Sequence, residues 1–415
     1  MKKRIVIIGG GTFSHVRAHL ALAAPAFGLT AIKLAEKFRK RFDHMDVELI
    51  LTKMADSNST IITNQDVSEL VDSLINDNTV KGIIFNVALC DFDGVIGDIP
   101  SGKYSKRLET LAGNEVINIS PSEKIVRKIR AVRKDIFLVA FKTTADATPQ
   151  EQFSKGLNLM KKSSANIVLA NDIVTRNNFI ITPEEGVYGK DMTRDECLDE
   201  LVDIAYYRTH LSFTRSTVVD GKPIPWADER VPAALRTVIN WCVTNNAYKE
   251  FNGATTGHFA AKLSDNEFLT SIRKTNFNNI KDNGMVLVKT DGNDNVIAYG
   301  AKPSVGGQSQ RIIFGGLDDC DSIVHFHCPL RENNLNGIQV VSQREYECGS
   351  HQCGENTSNG LRKYGNLYCV MLDNHGPNIV FNSSIDPQEV IDFIVANFDL
   401  NKSTSGFEKV YLNLQ

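Results

Sequence analysis

Ser322-Ile323-Val324-His325-Phe326-His327-Cys328 is an apolar run that ends in His-x-His, and Val370-Met371-Leu372-Asp373-Asn374-His375-Gly376 is a second run that ends in His-Gly. Successive side chains of a strand alternate between its faces, so His325 and His327 share one side and can reach one point. A third imidazole from a neighbouring strand, His375, completes a three-histidine set with an open fourth position. Three protein ligands and an open position suit a catalytic metal, whereas closed structural sites use four ligands. The expected ion is Zn2+ or another divalent transition metal. Two core histidines and an unrelated third are the competing reading, and the strand-end placement of both motifs favours metal.

Composition sets the outer bounds. A chain of 415 residues is long enough for two or three domains with their own cores. A formal net charge of -3, with no basic stripe interleaved with aromatics, disfavours nucleic acid as a partner. No apolar run approaches membrane-spanning length, so no membrane partner is expected. The start, Met1-Lys2-Lys3-Arg4 followed by Ile5-Val6-Ile7-Ile8, is too short an apolar core for a secretion signal. Eight scattered cysteines read as reduced thiols of a cytoplasmic protein.

The first half alternates strand and helix patterns. Lys3 to Ile8 reads as a buried strand, and Gly9-Gly10-Gly11-Thr12 as a turn whose backbone N–H groups suit an anion, with a helix start expected nearby. Further strands are expected at Val47–Leu51, Gly82–Val87, Ile136–Ala140 and Ile167–Ala170. Helices are expected at Thr30–Phe42, Asp66–Asn76, Pro121–Val132 and Gln150–Lys162, the third with Ser120 as N-cap and Pro121 in its first position. The alternation implies an α/β fold with a doubly wound parallel sheet and ligands at the carboxyl ends of its strands. A turn-rich, Pro-containing stretch, Val219-Asp220-Gly221-Lys222-Pro223-Ile224-Pro225, marks a boundary. The resulting division is residues 1–211, a linker 212–229, and residues 230–415; Glu229-Arg230-Val231-Pro232 opens a helix expected to run to about Asn245.

The second half, from Trp241 to Phe398, resembles the class II aldolase/adducin family. The matching pieces are Gly253-Ala254-Thr255-Thr256-Gly257-His258, Leu269-Thr270-Ser271, Lys302-Pro303-Ser304-Val305-Gly306, then His325, His327 and His375. The resemblance implies an α/β/α metal domain acting on a small phosphorylated or sugar-like substrate. The chain departs from the family where the metal-proximal catalytic Glu aligns with Gly306, a phosphate-binding Asn with His258, and a Ser with Val305. A proton-transfer group must then come from elsewhere. Glu347 and Glu355 are the candidates, with His351 next, in the reactive stretch Gln343-Arg344-Glu345-Tyr346-Glu347-Cys348-Gly349-Ser350-His351-Gln352-Cys353-Gly354-Glu355. Cys348 and Cys353 are either a second metal pair or small buried thiols, the second reading being favoured.

The first half, from Arg4 to about His210, is similar to phosphopantothenoylcysteine synthetase, a nucleotide-dependent ligase family. The pieces are Gly9-Gly10-Gly11-Thr12, Val16-Arg17, Gly28, Val87-Ala88-Leu89-Cys90-Asp91-Phe92, Lys103 and Lys106, Val139-Ala140-Phe141-Lys142, and Leu169-Ala170-Asn171-Asp172. The resemblance implies that CTP or another nucleoside triphosphate with Mg2+ meets Gly10, Gly11, Thr12, Asp91, Lys103, Lys106, Phe141 and Asn171. It also implies that the two lysines offset phosphate charge. Ala21 stands where that family has the Asn supporting acyl-nucleotide formation.

Together these readings give a bifunctional metabolic enzyme, an aldolase-type lyase, dehydratase or epimerase joined to a carboxylate–amine ligase-like domain. The alternatives are a ligase with a structural metal domain, or a non-catalytic nucleotide- and metal-binding assembly protein. Both family resemblances imply a homo-oligomer, dimer or tetramer.

Overall fold

The computed structural model describes residues 2–291, 295–304, 308–333 and 337–410. It divides into two compact units: Met1–Asp146, Lys155–Ile181 and Tyr188–Thr209 form the first; Ala147–Ser154, Thr182–Val187 and His210–Gln415 form the second. Among the described residues no helix is long and apolar enough to cross a membrane.

The first unit is an eight-stranded sheet. Its elements are β1 (Arg4–Arg17), β2 (Leu20–Ala24), α1 (Leu29–Arg41), β3 (Asp46–Leu51), α2 (Asn64–Asn76), β4 (Val80–Ala88), the β5–β6 ribbon (Phe92–Val95 and Asn118–Pro121), α3 (Val126–Val132), β7 (Phe137–Thr144), α4 (Pro149–Ser163), β8 (Ile167–Asp172), β9 (Asn178–Ile181), β10 (Val187–Tyr188) and α5 (Arg194–Arg208). Strands β3, β1, β4, β7 and β8 run parallel in that spatial order. The run Ile5 to Ile8 is buried residue by residue, as a strand covered on both faces requires. Ile5 and Ile7 pack against Ala31, Leu34 and Phe38 of α1 and Leu198 and Leu201 of α5. Capping boxes start α2 (Thr63 with Asp66) and α5 (Thr193 with Glu196).

Two local expectations are corrected. Gly9–Thr12 is not a turn: β1 runs through it, and Thr12 to Arg17 pair with β2 in a hairpin. The parallel strand bonds to β3 and β4 continue to Gly9 and Gly11, so the backbone there is committed to the sheet. Helix α1 starts only at Leu29, after Gly28. Pro121 likewise ends β6 by pairing with Phe92, and α3 begins at Val126. A proline on an edge ribbon loses no ladder bond, which lets the strand compete with the helix start.

The second unit is a ten-stranded, mainly antiparallel sheet between helices. In chain order it comprises β11 (Ser216–Val219), α6 (Ala233–Thr244), the short pair β12 and β13 (Glu250–Phe251 and Ala254–Thr255), β14 (His258–Ser264), β15 (Glu267–Ser271), α7 (Ile280–Asn283), β16 (Met285–Thr290), β17 (Val296–Tyr299), α8 (Gln308–Gly315), β18 (Ser322–His325), β19 (Val340–Val341), α9 (His351–Gly360), β20 (Arg362–Tyr364), β21 (Leu367–Leu372), β22 (Gly376–Phe381) and α10 (Pro387–Asn397). The sheet order is β11-β17-β16-β15-β14-β18-β22-β21-β19, with β20 on β21. Strand alternation sorts its core. Phe259, Val324 and Ile379 face Leu235 and Val238 of α6 and Ile391 and Ile394 of α10. Ala260, Ile323 and Val380 face Ile313 and Phe314 of α8. Residues one step from the first set and two from the second therefore belong on the α8 side, which places His258, His325 and Asn378 there.

Candidate active site

His325 is the last residue of β18, His327 follows two positions on, and His375 sits in the turn joining β21 to β22. All three are buried, and their candidate ligand nitrogens lie within 4.8 Å of one another. Ring centroids are 5.1 Å apart for His325 and His327, 4.5 Å for His325 and His375, and 4.9 Å for His327 and His375. Among the described residues this is the one His/Cys/Asp/Glu group of that kind. Cys353 instead contacts the Gln343 side chain within the fold.

The approach of the two motifs depends on backbone geometry. Gly376 has φ 145°, and a Cβ there would lie 2.0 Å from the Phe326 carbonyl oxygen. Only glycine lets the His375 turn close onto the His-x-His segment. Thr404 then ties both sides together: its N–H donates to the His327 carbonyl at 3.2 Å and its hydroxyl to the His375 carbonyl at 3.0 Å. Thr404 lies beyond α10 and carries no motif, so nothing in the sequence marks it.

The His325 Nδ1–H donates to the Pro377 carbonyl at 2.7 Å, which leaves Nε2 to face His375 Nε2 at 3.1 Å. A backbone acceptor on the far ring nitrogen is the usual way to fix the tautomer of a metal-binding imidazole. On the next strand His258 is paired directly with His325, their ring centroids 4.7 Å apart, and its Nδ1 lies 3.0 Å from Gln310 Nε2 of α8. The sequence places His258 at a family phosphate position, but the Gln310 contact spans 52 residues and has no local signal.

Burial pushes the His325 pKa down to about 4 from an ordinary 6.5, against the opposing pull of the Pro377 hydrogen bond. His258 is shifted down too, by burial and then by His325. The folded, metal-free protein therefore keeps His325 neutral where the unfolded chain is protonated. Stability is complete above about pH 6.5, falls as pH drops toward 4, and levels below. His325 alone accounts for about 3 kcal/mol at roughly 1.4 kcal/mol per pH unit. Thermal unfolding of chelator-treated protein between pH 7 and 4 should show this slope. A flat profile would contradict the buried neutral imidazole.

The three proton-transfer candidates separate. Glu355 is exposed on α9. His351 Nε2 lies 2.6 Å from the Thr214 hydroxyl, and the His351 backbone N–H donates to the Ser212 carbonyl, so it braces the 212–214 segment. Glu347 is buried, on a turn whose carbonyl accepts from both the N–H and the hydroxyl of Ser350, the α9 N-cap. Gly354 of α9 packs closely on Ser309 of α8, the neighbour of Gln310. Val305 and Gly306, where the sequence departs from the pattern it resembles, lie outside the described residues.

The first unit gathers its candidates differently. Gly10 and Gly11 lie on β1 at the point where strand order reverses between β3 and β4, a ligand position in open α/β sheets. Yet a Cβ at Gly10 (φ 100°) would sit 2.2 Å from the Thr52 hydroxyl, and one at Gly11 2.1 Å from the Ala24 carbonyl. These glycines make room for the chain's own atoms, which corrects the expectation of an open anion turn. The buried Thr12 hydroxyl is engaged with Asn64 Oδ1 at 2.7 Å and with the Cys90 N–H at 3.1 Å. Asp91 is exposed and ion-paired to Lys124 at 2.5 Å. Phe141 and Asn171 sit half-buried on β7 and β8, where Asn171 Oδ1 accepts from Thr143 at 3.3 Å. Lys103 and Lys106 are exposed between β5 and β6. Lys142, on β7, was not among the candidates; burial lowers its pKa, partly offset by Asp91.

No protein-family profile matches the chain. Over 177 residues it is 20% identical to the coenzyme A biosynthesis bifunctional protein CoaBC of Thermococcus kodakarensis, a match covering 41% of this chain and 41% of that protein. The chain thus spans less than half the length of this curated relative. Among solved structures, the DNA/pantothenate metabolism flavoprotein of Streptococcus pneumoniae aligns at TM-score 0.40 and 15% identity, covering 48% of this chain and 97% of that one. L-fuculose 1-phosphate aldolase aligns at TM-score 0.30 and 17% identity, covering 40% and 84%.

Proposed function

We propose that the chain is a two-part enzyme of small-molecule metabolism. Its second unit is a metal-dependent lyase, dehydratase or epimerase for a small polyol or sugar-like compound. The observation that carries this reading is the buried set His325, His327 and His375. Three imidazoles, one with its far nitrogen fixed by Pro377, suit Zn2+ or a similar divalent ion. When bound, such an ion supplies Lewis-acid polarisation of a carbonyl or hydroxyl oxygen. The chain's own part is to hold the ion on those three side chains and to move a proton with Glu347. Elemental analysis of protein purified without chelators should find about one transition-metal ion per chain, as such a site requires. Less than about a tenth of an ion, unchanged after incubation with zinc, would remove the reading.

The first unit is proposed as a nucleotide-binding, ligase-like partner, with CTP and Mg2+ as its first candidates. Similarity to the coenzyme A biosynthesis protein supports this, together with the polar groups Lys142 and Asn171 at the carboxyl edge of the sheet. Calorimetry with the four common triphosphates and Mg2+ should detect CTP at or below millimolar concentration. Absence of heat with all four would overturn it.

A further inference from the structure

The α8 side of the second sheet carries a row of polar residues through the histidine site. On one rung the cross-strand order is His258 (β14), His325 (β18), Asn378 (β22). Directly opposed residues of antiparallel strands project to the same face, a few ångströms apart. Gln310 of α8 is fully buried and meets His258. Donation from its Nε2 to His258 Nδ1 leaves that imidazole with Nε2–H as its donor. Gln310 Oε1 and Asn378 Oδ1 are both sealed from solvent and have no hydrogen-bond partner among the described residues. Buried carbonyl oxygens are nearly always matched, and each exception calls for a cause. Here two exceptions flank His325, one on either side.

We propose that Gln310, His258 and Asn378 form a hydroxyl-recognition wall beside the three-histidine site, and that the wall selects an unphosphorylated polyhydroxy substrate. The proposal rests on the metal reading above and specifies its substrate class. A hydroxyl can donate to Gln310 Oε1 or Asn378 Oδ1 and still accept from His258. A phosphate dianion offers only acceptor oxygens, which would face two more acceptors with no donor to either. A site built to bond a hydroxyl rejects a compound that leaves its buried polar atoms unmatched.

The test uses the full chain loaded with cobalt(II), whose visible absorption reports ligands at the metal position independently of turnover. The probes are dihydroxyacetone, a small neutral ketone with a hydroxyl on each side, and dihydroxyacetone phosphate. Dihydroxyacetone should perturb the spectrum and bind at least about tenfold more tightly than its phosphate ester, the effect of one buried hydrogen bond. Gln310→Met, close in shape but without the acceptor, should weaken dihydroxyacetone about tenfold while keeping one cobalt per chain. If that variant does not fold, Gln310→Asn, which withdraws the amide by one methylene, should show the same loss. Equal or tighter binding of the phosphate ester overturns the proposal, as does cobalt-loaded protein that responds to neither probe or a variant with unchanged affinity. Failure of the wild type to take up cobalt overturns the metal reading, and this inference with it.

Discussion

His325→Ala is expected to lower bound zinc from about one ion per chain to nearly none, and with it the protein's response to zinc in thermal unfolding. His325 shares the shortest centroid separation of the triad, 4.5 Å to His375, and its Nε2 is already directed at His375. Removing it leaves two imidazoles, fewer ligands than the three of a usual catalytic zinc site. A metal held at a thousand times its dissociation constant stabilises the folded state by about 4 kcal/mol. The wild type should therefore melt at a higher temperature with zinc than with a chelator, and the variant should melt alike in both. Comparing the variant with chelator-treated wild type separates loss of metal from loss of packing, since the buried ring is absent only in the variant. Full metal content in the variant, measured by elemental analysis, would show that the triad is not the site.

How far the sequence disclosed this site follows from the range of the interactions involved. His325 and His327 were legible because strand alternation is a local rule and the motif lies at a strand end. His375 was legible because a second apolar run ends beside a glycine, and φ 145° at Gly376 gives that glycine its reason. The strands at β3, β4, β7 and β8 and the helices α1, α2 and α4 were legible from periodicity. Gly9–Thr12 was misread because three glycines look alike in a turn and in a strand. What decides between them is pairing to β2, β3 and β4, contacts made up to about 77 residues away. Asn378 and Thr404 were not legible as site residues, and neither was the contact of Gln310 with His258. Each is an ordinary polar residue locally, and its placement beside the histidines depends on a distant segment brought against it. The departures from the resembled pattern raised the question of a substitute base without answering it; burial and hydrogen bonding do more to separate the candidates.

Glu347→Gln is expected to slow proton transfer by about 10²–10⁴-fold with metal retained, the range over which a positioned general base contributes. The argument is one of placement. Glu355 is exposed on α9, and the His351 ring is turned to Thr214. Glu347 is only 7% exposed and sits on a turn held by Ser350. That turn leads into α9, which packs against α8 and so against the helix that bears Gln310. Glutamine preserves the shape and the acceptor oxygen but cannot take up a proton near neutral pH. The direct measurement is deuterium incorporation from D2O at the carbon beside the carbonyl of dihydroxyacetone, followed by NMR on zinc-loaded protein. The wild type should exchange, Glu347→Gln should lose the exchange, and Glu355→Gln should remain within about twofold of the wild type, since surface changes have small effects. Exchange at the wild-type rate in Glu347→Gln would exclude Glu347 as the base. Loss in Glu355→Gln instead would mean that α9 presents its exposed face to the reacting carbon.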